Sequence, residues 1–114
     1  MFQGCTNLVK AQDILPATSL PAYCYQYMFN GCTSLTQAPE LPAISLGGSC
    51  YYYMFSGCTS LVTPPSVLGT IHGGDCCAYM FNGCTSLITT PKLPAVNLAT
   101  RSYRAMFRGC TSLV

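Results

Sequence analysis

One stretch of the chain gathers the residue types that bind metal ions or attack substrates. The single histidine, His72, stands shortly before three cysteines, Cys76, Cys77 and Cys84. A zinc site would use these residues as ligands, and a cysteine nucleophile would use the histidine as its base. The spacing does not favour zinc, because it lacks the paired Cys-x-x-Cys pattern and adjacent cysteines fit tetrahedral coordination poorly. It does not favour a nucleophile either, because no neighbouring residue orients the histidine. We therefore expect no metal ion, no other cofactor and no nucleophilic catalysis here.

The carboxylates offer no better catalytic arrangement. Asp13, Glu40 and Asp75 are the only acidic residues, and they lie far apart in the chain. General acid–base catalysis needs groups within hydrogen-bonding reach of the same substrate, which this spacing does not favour. The sequence therefore argues against an enzyme.

The nine cysteines fall into columns of a repeating pattern. One column follows a glycine and contains Cys5, Cys32, Cys58, Cys84 and Cys110. A second column contains Cys24, Cys50 and Cys76, with Ser102 in the fourth place, and Cys77 stands alone. Equivalent cysteines in stacked repeats would point the same way about 4.8 Å apart, which suits a bridge poorly. We expect small buried free thiols, with a disulfide framework as the alternative.

A repeated octapeptide sets the architecture that positions these residues. Pairs of Met and Phe begin at residues 1, 28, 54, 80 and 106, and they contain all five Met and all five Phe of the chain. A period of about 26 residues is typical of solenoids, in which each repeat buries its apolar side against its neighbours. The pattern predicts one domain, 1–114, with repeats at 1–27, 28–53, 54–79 and 80–105 and the start of a fifth at 106–114.

Composition narrows the class of protein further. Only 7% of the 114 residues are charged, and the net charge of +2 without aromatic-basic interleaving does not favour nucleic acid. No apolar run approaches the roughly 18 residues that span a bilayer, and the first residues do not resemble a signal peptide. We expect an internal piece of a longer array, or a unit made to stack.

Within one repeat, the pattern predicts a short helix, a short strand and a stiff corner. The spacing i, i+1, i+4, i+5, i+8 is followed by Cys24, Tyr25, Met28, Phe29 and Cys32, which we interpret as one face of a helix of about two turns. Gly31 would end that helix in a left-handed conformation. The Thr- and Leu-containing segment 33–36 favours a strand, and the prolines of the sequence PELP keep the chain extended after it. Strands of successive repeats would pair in parallel.

These features resemble the BspA-type leucine-rich repeats of bacterial surface proteins. The resemblance rests on Phe-x-Gly-Cys, then Ser-Leu, then an apolar stretch with prolines, as in residues 29–43, and it covers the whole chain. The period is a few residues longer than is usual in that family, and Met-Phe stands where Ala-Phe is common. The resemblance implies an α/β repeat solenoid, with short parallel strands on one face and short helices on the other, in a secreted or cell-surface protein used for attachment or protein binding.

Two surfaces are candidates for binding a protein or a glycan. The strand-side positions vary between repeats while their neighbours do not, as a recognition surface would: Lys10, Gln37, Thr63 and Thr89, then Asp13, Glu40, Ser66 and Lys92. The second candidate is a tyrosine row, Tyr27, Tyr53 and Tyr79, which ends at Ala105. The alternatives are ordinary solvated surface for the first and covering of gaps between adjacent helices for the second.

Charge along the array suggests self-association. Residues 1–57 contain Lys10 against Asp13 and Glu40, a net charge of −1. Residues 58–114 have a net charge of +3, with Lys92, Arg101, Arg104 and Arg108 against Asp75. Opposite charge at the two apolar ends favours head-to-tail contact and growth into a filament. A structural subunit that stacks end to end is therefore the alternative to an interaction module.

Overall fold

The described residues form three short strands that lie side by side. The computed structural model describes residues 3–10, 19–20, 23–66, 69, 71–92 and 103–113. The strands are β1 (Ser19–Leu20), β2 (Ser45–Leu46) and β3 (Ile71–His72), and they form one parallel sheet in the order β1-β2-β3. The sequence-based expectations at Met1, Phe2, Asp13, Arg101 and Ser102 lie outside the described residues.

The register of the sheet follows the sequence period. Ser19 pairs with Ser45, and Ser45 pairs with Ile71, so each residue meets its equivalent in the next repeat. Two isolated parallel bridges, Lys10 with Gln37 and Gln37 with Thr63, form a second ladder earlier in the repeat. Successive repeats of the described chain therefore lie against each other in parallel and in register.

The strands lie at a different place in the repeat from the one that the sequence suggested. The segment 33–36 begins in a turn, because the N–H of Leu35 bonds the carbonyl of Cys32 at 3.2 Å. The chain extends only afterwards, at the bridge of Gln37 and at β2, which follows the proline-containing corner. Threonine has a high propensity for extended strands. In the segment 33–36, the turn that follows Gly31 outweighs this propensity.

Where helices were expected, the chain forms overlapping β-turns. Met28 donates its backbone N–H to the carbonyl of Tyr25 (3.2 Å), and Asn30 donates to Tyr27 (3.1 Å). These bonds span three residues, whereas those of an α-helix span four. The described part of the chain consequently contains strands and turns but no helix.

The backbone groups between these turn bonds connect each repeat to the next. Tyr27 donates its N–H to the carbonyl of Tyr52 (3.0 Å), and Phe29 donates to Met54 (2.9 Å). Phe55 makes the same bond one repeat later, to Met80 at 2.8 Å. Alternate N–H groups thus close a turn or bond the neighbouring repeat, so the buried backbone is satisfied without a helix.

Every fourth residue of the turns has a left-handed backbone. In one series of turns these residues are Tyr23 (φ 62°), Tyr27 (φ 57°) and Gly31 (φ 76°). A positive φ at the third residue of a β-turn is the mark of type II, where glycine is the usual occupant. The left-handed glycine that the sequence predicted is confirmed at Gly31, but it continues a series of turns and ends no helix.

The core is a column of stacked phenylalanines. The ring centroids of Phe29 and Phe55 are 5.4 Å apart, those of Phe55 and Phe81 5.5 Å, and those of Phe81 and Phe107 5.6 Å. All three pairs are within 4° of parallel, and the first three rings are fully buried. The continuous phenylalanine spine expected from the sequence is confirmed at these four positions.

The Met and Cys columns complete the same core. Met54 and Cys58 are fully buried beside Phe55, as are Met80 and Cys84 beside Phe81. The spacing i, i+1, i+4, i+5, i+8 therefore marks buried positions throughout 50–58 and 76–84, although the backbone is a series of turns. In the series 24–32 it does so only in part, because Cys24 is exposed and Tyr25 is half-buried. Cores packed this closely lose stability when one member is truncated.

The phenylalanine spine gives the first prediction. Phe55→Ala should lower the free energy of unfolding by about 3–5 kcal/mol, because it leaves a cavity between two fully buried rings. Urea denaturation followed by circular dichroism measures this. Phe107→Ala is the matched comparison and should cost less, because Phe107 is partly exposed and stacks on one ring of the described chain. Equal losses for the two variants would contradict the spine as the centre of the core.

Candidate functional site

The strand-side candidates form an ordered surface. Lys10, Gln37 and Thr63 are exposed and lie beside one another through the two parallel bridges. Thr89 and Lys92 of the next repeat are exposed as well. The structure therefore brings the residues of this column together at the surface, as the sequence suggested.

Glu40 has a structural role within that surface. Both oxygens of its carboxylate accept the backbone N–H of Ser66 at 3.2 Å, and the Ser66 hydroxyl donates to Oε1 at 3.0 Å. The carbonyl of Ser66 in turn accepts the N–H of Lys92 at 2.9 Å. The varied corner positions are thus linked from repeat to repeat, and the carboxylate is already occupied within the protein.

An apolar column next to this surface was not identified from the sequence. Val9, Val62 and Ile88 are 56%, 38% and 45% exposed, and each directly precedes a residue of the polar column. The available signal was alternation, since β-branched residues at these positions directly precede polar ones. The strand-side surface therefore contains exposed apolar side chains as well as polar ones.

The tyrosine row lies at the surface as a stack of parallel rings. Tyr27, Tyr53 and Tyr79 are partly exposed, with ring centroids 5.2 Å and 4.7 Å apart and interplanar angles of 8° and 7°. Rings this close cover each other's faces, so the row packs between repeats. It does not fill gaps between adjacent helices, because the described chain has turns in their place. The same rings remain in contact with solvent, so the two interpretations of the row are not exclusive.

A fourth tyrosine joins this row. The ring of Tyr52 lies at 73° to 80° to all three, with centroids 5.8 Å from Tyr27, 4.6 Å from Tyr53 and 6.1 Å from Tyr79. The four rings together are named the tyrosine cluster. Tyr52 was not identified from the sequence because its column is irregular, with Gln26, Ala78 and Arg104 as its equivalents.

Arg104 contacts the tyrosine cluster, and the charge of Arg108 acts on it. The guanidinium carbon of Arg104 lies 5.9 Å from the ring centroid of Tyr79, within cation–π distance. Burial is the main cause that raises the pKa of Tyr53, followed by the neighbouring phenols of Tyr52 and Tyr79, while the positive charge of Arg108 lowers it. The cluster is thus an array of phenols with positive charge at one side.

The row is maintained against backbone strain. Tyr27, Tyr53 and Tyr79 have φ values of 57°, 55° and 56°. A left-handed conformation costs a residue with a Cβ about 1–2 kcal/mol. Each ring contact contributes about 0.5–1.5 kcal/mol beyond the area that it buries. Tyr53, with a ring on each face, offsets its own strain, which explains how a bulky residue is retained where glycine would fit best.

The cysteines lie in the structure as nine free thiols. In the glycine-associated column, Cys58 donates its thiol to the carbonyl of Phe29 (3.1 Å), Cys84 donates to Phe55 (3.0 Å), and Cys110 to Phe81 (3.1 Å). Each cysteine therefore bonds the preceding repeat and points to a backbone oxygen. This geometry favours small buried thiols over bridges within the column.

The residues considered as metal ligands are distributed differently. Cys76 and Cys77 are buried with their sulfurs 3.6 Å apart. Cys84 belongs to the column that bonds backbone carbonyls, and His72 is the last residue of β3. Among the described residues, no group of three or more His, Cys, Asp or Glu is placed to hold a metal ion.

Tyr51 places a hydroxyl group inside the core. Its side chain is fully buried, and its hydroxyl has no hydrogen-bond partner among the described residues. Burial raises the pKa of this phenol, and the nearby Cys50 and Cys77 raise it further. Its ring stacks on Tyr25 at 6.3 Å, while Cys77 replaces tyrosine in the next repeat.

Comparison with protein-family models, with curated proteins and with solved structures finds no match. In the described ranges, no helix has the length and apolar character needed to cross a membrane.

The buried thiols generate the second prediction. Burial, then the neighbouring Cys32, raises the pKa of Cys58 to about 12, from an ordinary value of 9.0. A folded-state pKa above the unfolded one stabilises the folded protein below pH 9, and this stability is lost as pH rises towards 12. The free energy of unfolding should therefore fall across this window, by about 1.4 kcal/mol per pH unit for each thiol that ionises only on unfolding.

Urea denaturation under reducing conditions at several pH values above 8 measures this slope. Cys58→Ala should reduce it, because one such thiol is removed. Val62→Ala, at an exposed position that does not titrate, should leave it unchanged. A stability that does not depend on pH between 9 and 11 would contradict the burial of the thiols.

Proposed function

We propose that this chain is a non-enzymatic interaction module, and that the tyrosine cluster is its principal contact surface for a protein or glycan. The observation that carries this proposal is the stack of Tyr27, Tyr53 and Tyr79, whose partly exposed rings are fixed before any partner arrives. Tyrosine offers large contact area with little side-chain entropy to lose, so it is common at the centre of interfaces. A fixed row lowers that cost further.

The architecture that we propose for this module is a leucine-rich-repeat-like solenoid of the BspA type, secreted or at a cell surface. The parallel pairing of equivalent residues and the stacked phenylalanines support a repeating array. The expected face of short helices would be replaced by overlapping β-turns. In such a solenoid the surface columns vary while the buried ones are fixed, as they do here at Gln37 and Thr63.

The strand-side surface is the competing contact surface within the same function. Lys10, Gln37 and Thr63 are exposed beside the apolar side chains of Val9 and Val62. Mixed apolar and polar columns suit protein binding as well. Variants that alter one surface and leave the other intact decide between them.

The third prediction concerns ligand binding. The protein is tested for binding to a panel of acidic, basic and apolar peptides and of neutral and sulfated oligosaccharides. Tyr52→Gln, which installs the residue of the preceding repeat, should weaken the binding of the wild-type ligands by about fivefold or more, since aromatic anchors carry much of the affinity at interfaces. Tyr53→Phe/Tyr79→Phe keeps the stack and removes two hydroxyls, so it separates ring contacts from hydrogen bonds.

The matched control alters the strand-side surface in the same manner. Val62→Thr/Thr63→Gln converts two positions of the third repeat to those of the second. This variant should bind as the wild type does. Loss of binding here, with retention in Tyr52→Gln, would move the contact surface to the strand side. Denaturation midpoints of all variants must match before affinities are compared.

Head-to-tail self-association is the second function that we propose, as a structural subunit of an extracellular filament. The turn-region hydrogen bonds between repeats run in one direction, from an N–H to a carbonyl of the following repeat, as from Phe55 to Met80. One side of any such stack therefore presents N–H donors and the other presents carbonyl acceptors, so a second copy of this chain could continue the pattern.

The fourth prediction is that the isolated chain associates along its axis. Light scattering should show a mass that rises with protein concentration. Added salt should weaken this assembly if the opposite net charges of the two halves dominate, and leave it intact if apolar contact dominates. A strict monomer at high concentration would contradict the filament.

A further inference from the structure

The geometry of the tyrosine cluster restricts the kind of partner that it accepts. Tyr53 has one ring face towards Tyr27, at 5.2 Å, and the other towards Tyr79, at 4.7 Å. A sugar held between two rings needs about 7 Å, because each contact takes about 3.5–4.0 Å. The free side of Tyr79 has the guanidinium of Arg104 over it. Between Tyr27 and Tyr79, the row therefore has no open gap for a sugar ring.

What the row presents to solvent is ring edges and phenol hydroxyls. Ring edges carry the positive part of the aromatic quadrupole, so they prefer the face of another aromatic ring or a negatively charged oxygen. Phenol hydroxyls donate to carboxylate and carbonyl oxygens. Tyr52, which is perpendicular to the row, is the single member of the cluster outside the stack.

The positive charge beside the cluster also favours a negatively charged partner. Arg104 and Arg108 are both exposed, and within the described ranges neither is in an ion pair with a carboxylate. Glu40 is bonded to Ser66 in another part of the surface. Two guanidiniums beside a row of phenol donors form a surface that complements negative charge.

We propose that the tyrosine cluster, with Arg104 and Arg108, binds an acidic segment of a partner protein that also contains aromatic residues. Carboxylates of that segment pair with the guanidiniums and accept from the phenols, while its aromatic rings meet the tyrosine edges. An acidic polysaccharide supplies the charge but no aromatic faces. This inference rests on the proposed function, since it names the partner class for the same surface.

The test uses a fluorescein-labelled peptide of alternating Glu and Phe, with a Gln and Phe peptide of equal length as its neutral match. Anisotropy titrations at low and physiological salt give the affinities. The acidic peptide should bind, more weakly at higher salt, and the neutral peptide should bind less. Arg104→Gln/Arg108→Gln should weaken binding by about 2- to 30-fold, the range for losing two exposed ion pairs.

Lys10→Gln/Lys92→Gln is the matched control. It removes the same net charge from exposed positions of the strand-side surface, and it should leave the affinity nearly unchanged. An equal loss in both double variants would mean attraction to net charge alone, which overturns the site. Equal binding of the neutral and acidic peptides, or no binding of either, also overturns it.

Two oligosaccharides, one neutral and one sulfated, distinguish a failure of this inference from a failure of the proposed function on which it rests. If either binds more tightly than the acidic peptide, and Tyr52→Gln weakens that binding, the partner is a glycan and the interaction surface stands. If no ligand of any class depends on the tyrosine cluster, the proposed surface fails together with the inference. All variants are compared at matched denaturation midpoints.

Discussion

The hydrogen bond from each repeat to the next is the constraint on which the rest of the structure depends. An N–H bonds a carbonyl of the following repeat, from Tyr27 to Tyr52 and again from Phe55 to Met80. This register places identical side chains over one another, so one phenylalanine per repeat becomes a continuous column. A shift by a single residue would separate the rings and place a left-handed residue where a right-handed one is needed. The octapeptide recurs because this register requires the same residues at equivalent positions of each repeat.

The spacing of buried positions within each repeat explains what could be predicted and what could not. Residues at i, i+4 and i+8 are buried, and this spacing identified Met54 and Cys58 from the sequence alone. On a helix of 3.6 residues per turn, i+7 would share the face better than i+8. The i+7 position is instead Gly57, with φ 77°. The choice between helix and overlapping turns depends on bonds to a neighbouring repeat, which spacing along one repeat does not contain.

The surface was predictable to the extent that it is regular. The tyrosine row and the strand-side column recur at one position of successive repeats, so their members could be named from the pattern. Tyr52 and Arg104 occupy a column in which no two residues are alike, and their contacts with the row follow only from the fold. Glu40 was a plausible contact residue by its variability, yet its carboxylate bonds Ser66. A varied position in a repeat can serve the neighbouring repeat as well as a partner.

In the function that we propose, specificity lies in the irregular columns of a regular scaffold. Buried identical residues satisfy one another, as Phe29 and Phe55 do, so a repeated core column presents nothing to a partner. The column of Gln26, Tyr52, Ala78 and Arg104 cannot satisfy itself in this manner. The small side chain of Ala78, which is fully buried, separates an aromatic ring from a guanidinium. Tyr52 and Arg104 therefore pack against the tyrosine row next to them. The resulting combination of ring edges and positive charge occurs once along the described array. Under the proposed function, the repeats supply rigidity and the departures from the repeat supply the chemistry of recognition.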